Sequence, residues 1–296
     1  MTRRATAPAM QDDPIRGILL MLAATVLFTC SDVMAKYVTQ SIPAIELLVI
    51  RYGVFVAIAG APFLRSRRPS MRSRRTWLQL VRGVGVAGSA IFFVLSLRSL
   101  PVPEASAINF VSPLLITVLA VPVLGEVVRP AGWAAVAAGF LGVLVVVRPG
   151  LGGLHPAAGL VLLSSLFWCV AMLVTRRMAG NERSDVTLLW TAITGFGLLL
   201  CALPFFLAPL SAGQFGFCLL VGIVSTGGQW CALLAYRQAR ASVLAPLSYT
   251  QLLWATALGF LVFGTVPDIW VVVGAAIIAA SGVVVVQLER HRVAPR

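Results

Sequence analysis

Ten apolar runs follow one another along this chain, and they constrain its fold more than any other feature. They cover residues 17–38, 43–64, 78–98, 103–124, 130–147, 156–177, 187–208, 216–236, 242–263 and 267–288, separated by gaps that hold Arg, Pro, Gly or Asp. A helix that crosses a bilayer needs about 20 mainly apolar residues, and hydrocarbon leaves no partner for an unpaired backbone group, so runs of this length read as transmembrane helices. Charged residues make up 11% of the 296, against about 25% in soluble domains. Too few remain to cover a globule. The expected fold is therefore an all-α integral membrane protein with ten transmembrane helices. Beyond them lie only a 1–16 head, short loops and a 289–296 tail, which leaves no room for a soluble catalytic domain. The first run is kept as a helix rather than a cleaved leader: it is too long, holds Asp32 and Lys36, and is followed by nine more.

The net charge of +13 does not imply a nucleic-acid partner. Of the 23 basic residues 22 are Arg, clustered in the short gaps, and no polar segment is long enough to build a basic groove with interleaved aromatics. Their placement gives orientation instead. With the N-terminus inside, nineteen fall on or next to the cytoplasmic side. Arg98, Arg148 and Lys36 fall at the outer side, and Arg51 lies within the second run. Both termini are expected to be cytoplasmic. The five cysteines, Cys30, Cys169, Cys201, Cys218 and Cys231, all lie in apolar runs without a CxxC pair. They read as small buried hydrophobes, and no metal or cofactor is expected.

The sequence repeats itself at an offset of 139. Leu27-Phe28-Thr29-Cys30 matches Leu166-Phe167-Trp168-Cys169, Gly83 and Gly88 match Gly222 and Gly227, Arg98 matches Arg237, and Gly125 matches Gly264. Two halves follow, 17–148 and 156–288, joined by a 149–155 linker. Each holds five helices. Five is odd, so the second half must enter the membrane upside down. Inverted repeats of this kind belong to carriers that bind near the midplane, where the halves meet.

From Pro103 to Arg148 the pattern is a small-residue start (Ala105, Ser106, Ala107), a mid-helix Pro113-Leu114, then Leu124-Gly125-Glu126 and a glycine-containing fifth helix. The second half has Ala241-Ser242 and Phe263-Gly264, but departs at Thr265 and Leu252. Nearly the whole chain thus resembles the drug/metabolite transporter superfamily in its ten-helix form with two EamA-type repeats. The resemblance implies a carrier of small molecules; members export amino acids, drugs and other metabolites, and some exchange sugar phosphates or nucleotide sugars. The layout is most similar to bacterial amino-acid exporters, which implies a multi-pass protein of the bacterial inner membrane.

Several residues are candidates for the site. Asp32 lies inside the first run. An ionised Asp near mid-membrane costs about 2.5–3.5 kcal/mol or more, so it should face a cavity or a partner. Lys36 is four residues on, on the same helix face. The two form either a neutralised pair near the outer interface or an ion-coupling or substrate-ammonium site. Asn109 and Ser112 share a face of the fourth run, and the 139 offset turns them into Ser248 and Gln251. Pro113 has no N–H, so the carbonyl of Asn109 loses its helical partner. These four residues either line a wet cavity or tie helices together by hydrogen bonds. Trp168, Trp230, Tyr249 and Trp254 fall in the middle parts of their runs; they offer faces to an apolar or cationic substrate, or pack against neighbours or lipid. Gln229, Ser164 and Ser165 beside them would make a mixed aromatic and polar pocket. Trp77, Trp133 and Trp270 sit near run ends and read as interface anchors. Glu46, Arg51, Glu104 and Glu126 are weaker candidates: Glu46 and Arg51 are five apart, and the other two sit at helix ends.

Gly83-Val84-Gly85-Val86-Ala87-Gly88 fits GxGxxG, but the dinucleotide fingerprint needs a preceding strand. Within an apolar run, small residues let helices pack closely. No GxxxxGK[ST], HExxH or GxSxG occurs, and His155 and His291 fall in the linker and the tail. An enzyme is therefore not expected, and inverted repeats favour alternating access over a channel. The expected function is secondary transport, export of small metabolites, foremost amino acids, by rocking of the two halves around a central pocket. The alternative is export of drugs or hydrophobic cations. The sequence leaves monomer and dimer open.

Overall fold

In a computed structural model of the chain, the described residues are 14–65, 71–124, 130–147, 155–178, 182–239, 244, 247–248, 250–264, 268–274, 276–277 and 280–281. Among them every regular element is a helix. In chain order they are α1 (Pro14–Val38), α2 (Ala44–Arg65), α3 (Thr76–Leu97), α4 (Val102–Asn109), α5 (Val111–Leu124), α6 (Pro130–Val147), α7 (Ala157–Met178), α8 (Ser184–Ala202), α9 (Ala212–Gln238) and α10 (Thr250–Phe263). The described residues between 269 and 281 are helical as well. Six helices, α1, α2, α3, α7, α8 and α9, are long and apolar enough to cross a membrane, and shorter apolar helices accompany them. The expected 1–16 head is described only from Pro14, and most of the 149–155 linker, the tail, Tyr249, Glu126 and Thr265 lie outside the described residues.

One expected span is not a single helix. Residues 103–124 divide at Phe110 into α4 and α5. Pro113 cannot donate to the carbonyl of Asn109 four residues back, so the helical ladder is interrupted there. Elsewhere boundaries move by a few residues. The run expected at 187–208 is helical from Ser184, and after Ala202 it tightens into a 3-10 turn at Leu203–Phe205. The α9 helix begins early, at Ala212, because Ser211 and Gln214 form a capping box: the Ser211 hydroxyl accepts from the Gln214 N–H, and the Gln214 side chain accepts from the Ser211 N–H.

The dominant helix pairs are α1 with α9 and α3 with α7, followed by α3 with α8, α2 with α8 and α2 with α9. Smaller contacts set α10 on α1 and α4, and α4 and α5 on α7. Glycines permit the close approaches. A Cβ on Gly85 would stand 2.9 Å from the carbonyl oxygen of Phe167, and one on Gly88 2.5 Å from the Phe167 ring. Across the molecule a Cβ on Gly228 would stand 2.8 Å from the Phe28 ring. The GxGxxG motif is thus a helix-packing surface in the middle of α3. A buried cluster including Leu47, Leu48, Tyr52, Leu188, Ala192 and Val221 ties α2, α8 and α9 together. Large apolar side chains such as Leu64, Trp77, Phe205 and Leu261 face outward, as hydrocarbon contact requires.

The two ends of the bundle are fastened differently. At one end, Glu182, between α7 and α8, accepts from the Ser73 hydroxyl (2.9 Å) and from the backbone N–H groups of Arg74 (2.8 Å) and Arg75 (3.2 Å). Arg237, near the end of α9, donates to the Glu182 carbonyl, and the Trp190 indole donates to the Met71 carbonyl (3.0 Å). At the other end Lys36 donates to the carbonyls of Leu97 (3.0 Å) and Leu100 (2.6 Å), where α3 ends. Gln214 there reaches the Ser41 hydroxyl (3.3 Å). Just inside the first end, the fully buried Arg82 donates to the hydroxyls of Thr175 (2.8 Å) and Thr191, which joins α3 to α7 and α8.

Candidate functional site

The crossing of α1 with α9 and of α3 with α7 leaves a cavity of about 110 Å³ between the pairs, room for several waters. The α1 helix contributes Thr25, Phe28 and Asp32, spaced to share one face. From α2 comes Arg51, and from α3 come Ser89 and Phe93. The α4–α5 break adds Asn109, Phe110 and Ser112; α7 adds Ser164 and Trp168; α9 adds Gln229 and Tyr236. Ser248 and Gln251 close the lining.

The walls are aromatic and the polar groups lie between them. Phe28 and Trp168 meet edge to face, with centroids 6.1 Å apart and planes at 88°, the arrangement that ring quadrupoles favour. Because these two residues sit on α1 and α7, the contact bridges the two halves of the sequence. Ser164 donates to the Ser89 carbonyl (2.8 Å), which fixes α7 on α3. The Ser165 hydroxyl lies 2.9 Å from Oδ1 of Asn109 and 3.4 Å from its carbonyl oxygen. That carbonyl is the one Pro113 leaves without a helical donor, and a single hydroxyl proton serves only one of the two oxygens at a time.

Two opposite charges face this cavity. Asp32 is 9% exposed and accepts from the Gln251 amide (3.3 Å). Arg51 is equally buried and feels the charge of Asp32. Among the described residues it has no hydrogen bond or ion pair. Gln229 is buried too, and its Oε1 has no partner.

The structure brings Asp32, Asn109, Ser112, Trp168, Gln229, Ser248 and Gln251 to one lining, out of the residues singled out from sequence. It does not bring Lys36, Trp230 or Trp254 there. Lys36, expected to pair with Asp32 or to serve beside it, turns to the end of α3 because two free helix-end carbonyls are in reach. Trp230 packs against the core cluster of α2, α8 and α9, and Trp254 is exposed on the outer face. Arg51, Phe28, Ser89 and Tyr236 line the cavity without having been singled out as substrate contacts. For Arg51 a signal existed: an ionisable residue in the middle of an apolar run marks a site by default. The five-residue spacing to Glu46 argued against a pair within the helix but named no other partner, and the charge that Arg51 meets is on another helix.

Comparison with known proteins adds a family. The model of the EamA-like transporter family matches residues 15–148 and again 155–287. The chain is 33% identical to a riboflavin transporter of Rhizobium johnstonii, over 93% of this chain and 92% of the relative. It is 28% identical to a riboflavin transporter of Vibrio cholerae, over 96% and 97%, and 24% identical to an S-adenosylmethionine uptake transporter of Rickettsia prowazekii, over 93% and 94%. A solved crystal structure at 21% identity shares the fold, with a TM-score of 0.72 over 94% of this chain and 99% of the other.

Proposed function

Because this chain belongs to the EamA-like transporter family, we propose that it carries a flat heteroaromatic metabolite of riboflavin's class across a bacterial inner membrane by alternating access. The carrying observation is the cavity itself: aromatic walls from Phe28, Phe93, Trp168 and Tyr236, with amides and hydroxyls between them, among which Oε1 of Gln229 is left without a partner. Aromatic faces stack a planar ring system, and Asn109, Gln229, Ser248 and Gln251 suit its polar edge and a hydroxylated tail. Identity to two riboflavin transporters along nearly the full length supports this chemistry. The sequence-based expectation of amino-acid export has no such support among these relatives, and an amino acid enters as a competitor in the test.

In this reading the chain has ten spans, in two inverted halves of five, with both termini in the cytoplasm. The double family match and the pairing of α1 with α9 and α3 with α7 support it. No ATPase motif drives the cycle, so net flux follows the substrate gradient and any ion coupled to it. Asp32, buried and facing the cavity, is the group proposed to carry the coupling proton. The test is uptake of labelled riboflavin into proteoliposomes of the purified protein. Saturable uptake, competed by unlabelled flavin but not by amino acids or lipophilic cations, supports the reading. Competition by amino acids with no flavin uptake overturns it.

A further inference from the structure

Two buried side chains of the cavity lining have hydrogen-bonding capacity left over, and their chemistry is complementary to a single kind of edge. Arg51 offers a guanidinium fork with five N–H donors and, among the described residues, donates to nothing. It is 9% exposed, and Gln229 is 7% exposed with an orphaned amide oxygen. Buried charges and amides are almost always paired. A guanidinium with unused donors and an orphaned amide oxygen in one cavity lining therefore point to a ligand that supplies the missing partners. The nearby carboxylate of Asp32 balances the charge of Arg51 without using up its donors, because Asp32 is held by Gln251.

We propose that Arg51 and Gln229 are the specificity-determining pair, reading the imide edge of the substrate's ring, with Arg51 donating to a ring carbonyl and Gln229 accepting the adjacent N–H; this rests on the carrier reading above. An imide edge alternates carbonyl, N–H and carbonyl. A guanidinium matches the carbonyl, and an amide oxygen matches the N–H. Neither an amino acid nor a lipophilic cation has this alternation, so the pair would select against both. Residue 90, which takes the place of Gln229 at the 139 offset, is Ala, and residue 190, which takes the place of Arg51, is Trp. The pair therefore exists once, and the substrate is held in one orientation although the scaffold is duplicated.

The experiment is titration of purified protein with riboflavin and with N3-methylriboflavin, followed by quenching of flavin fluorescence. The methyl group removes the N–H and leaves both carbonyls. Wild-type protein should bind riboflavin about 10- to 100-fold more tightly than the methylated flavin, the range for a hydrogen bond to a buried polar group. Gln229→Leu should bring the two affinities together. Arg51→Gln should weaken both flavins by a similar factor, with Arg51→Lys in between because it keeps the charge and loses the fork. Dissociation constants report on the folded fraction alone, so a lower yield of folded variant does not mimic these outcomes. Undiminished discrimination in Gln229→Leu, or an unchanged riboflavin affinity in Arg51→Gln, overturns the pair while the carrier reading stands. Wild-type protein that binds neither flavin overturns the carrier reading and the pair together.

Discussion

Single residues carry the sharpest expectations. Asp32 sits where an ionised carboxylate is expensive, and among the described residues only the Gln251 amide holds it directly. Asp32→Asn keeps the shape and the amide contact but cannot exchange a proton. It should abolish stimulation of flavin uptake by an imposed pH gradient, while flavin–flavin exchange, which moves no net proton, persists. Equal stimulation in variant and wild type would remove Asp32 from the coupling role. Glycines separate tight from open packing. In Gly85→Ala the new Cβ meets the Phe167 carbonyl oxygen at 2.9 Å, and backbone cannot yield as a side chain can; a cost of about 1–3 kcal/mol is expected. At Gly159 nothing lies within 4 Å, so Gly159→Ala should be neutral or stabilising by about 0.5–1 kcal/mol. Thermal melting in detergent distinguishes the two. Much of the cavity was legible at this scale, because Asp32, Asn109, Gln229 and Gln251 are polar groups at membrane depth. The neighbours of Lys36 and Arg51 were not legible for one physical reason: spacing along a helix tells which residues share a face, not which neighbour that face meets.

At the scale of elements, hydropathy fixes where helices are, and chemistry at their ends fixes how they are joined. The break at Phe110 was half legible, since Pro113 announces a freed carbonyl but not that Ser165 on α7 would approach it. The Glu182 contacts were not legible at all, because they join loops 107–109 residues apart through backbone N–H groups that any sequence possesses. Their role can be measured. Glu182→Ala strips the acceptor from the Ser73 hydroxyl and from two backbone donors, while Trp190 keeps its bond to the Met71 carbonyl. Local opening of 72–75 should become easier by about 1–2 kcal/mol, roughly a 10-fold rise in hydrogen exchange there, with α1 unchanged. Unaltered exchange at 72–75 would show that the flanking helices alone hold this loop.

For the molecule as a whole, scaffold and chemistry follow different rules. The helix pairs exchange with one another when the halves are exchanged: α1 on α9 mirrors α7 on α3, and α2 meets α8. The glycine contacts nearly follow, with Gly88 on Phe167 and Gly228 on Phe28. Duplication therefore made the architecture readable from one offset. The cavity's charges do not repeat: Asp32 has Ala171 as its counterpart, and Arg51 has Trp190. In the proposed reading substrate choice lies in those asymmetric positions, so the repeat implied a carrier and left its cargo open. The same offset supplies a decisive test of the inverted arrangement. Arg74 and Gly213 are 139 apart, both exposed, and Gly213 has nothing within 4 Å of a new Cβ. Parallel repeats would put these equivalent positions on one side of the membrane. Repeats of five helices put them on opposite sides, with residue 74 expected in the cytoplasm from the arginines around it. In a background with the five native cysteines replaced by Ala, Gly213→Cys should react with an impermeant maleimide added to intact cells. Arg74→Cys should react only after the membrane is opened. Labelling of both from outside, or of neither, would reject the inversion and with it the symmetry-based exchange of inward-open and outward-open states.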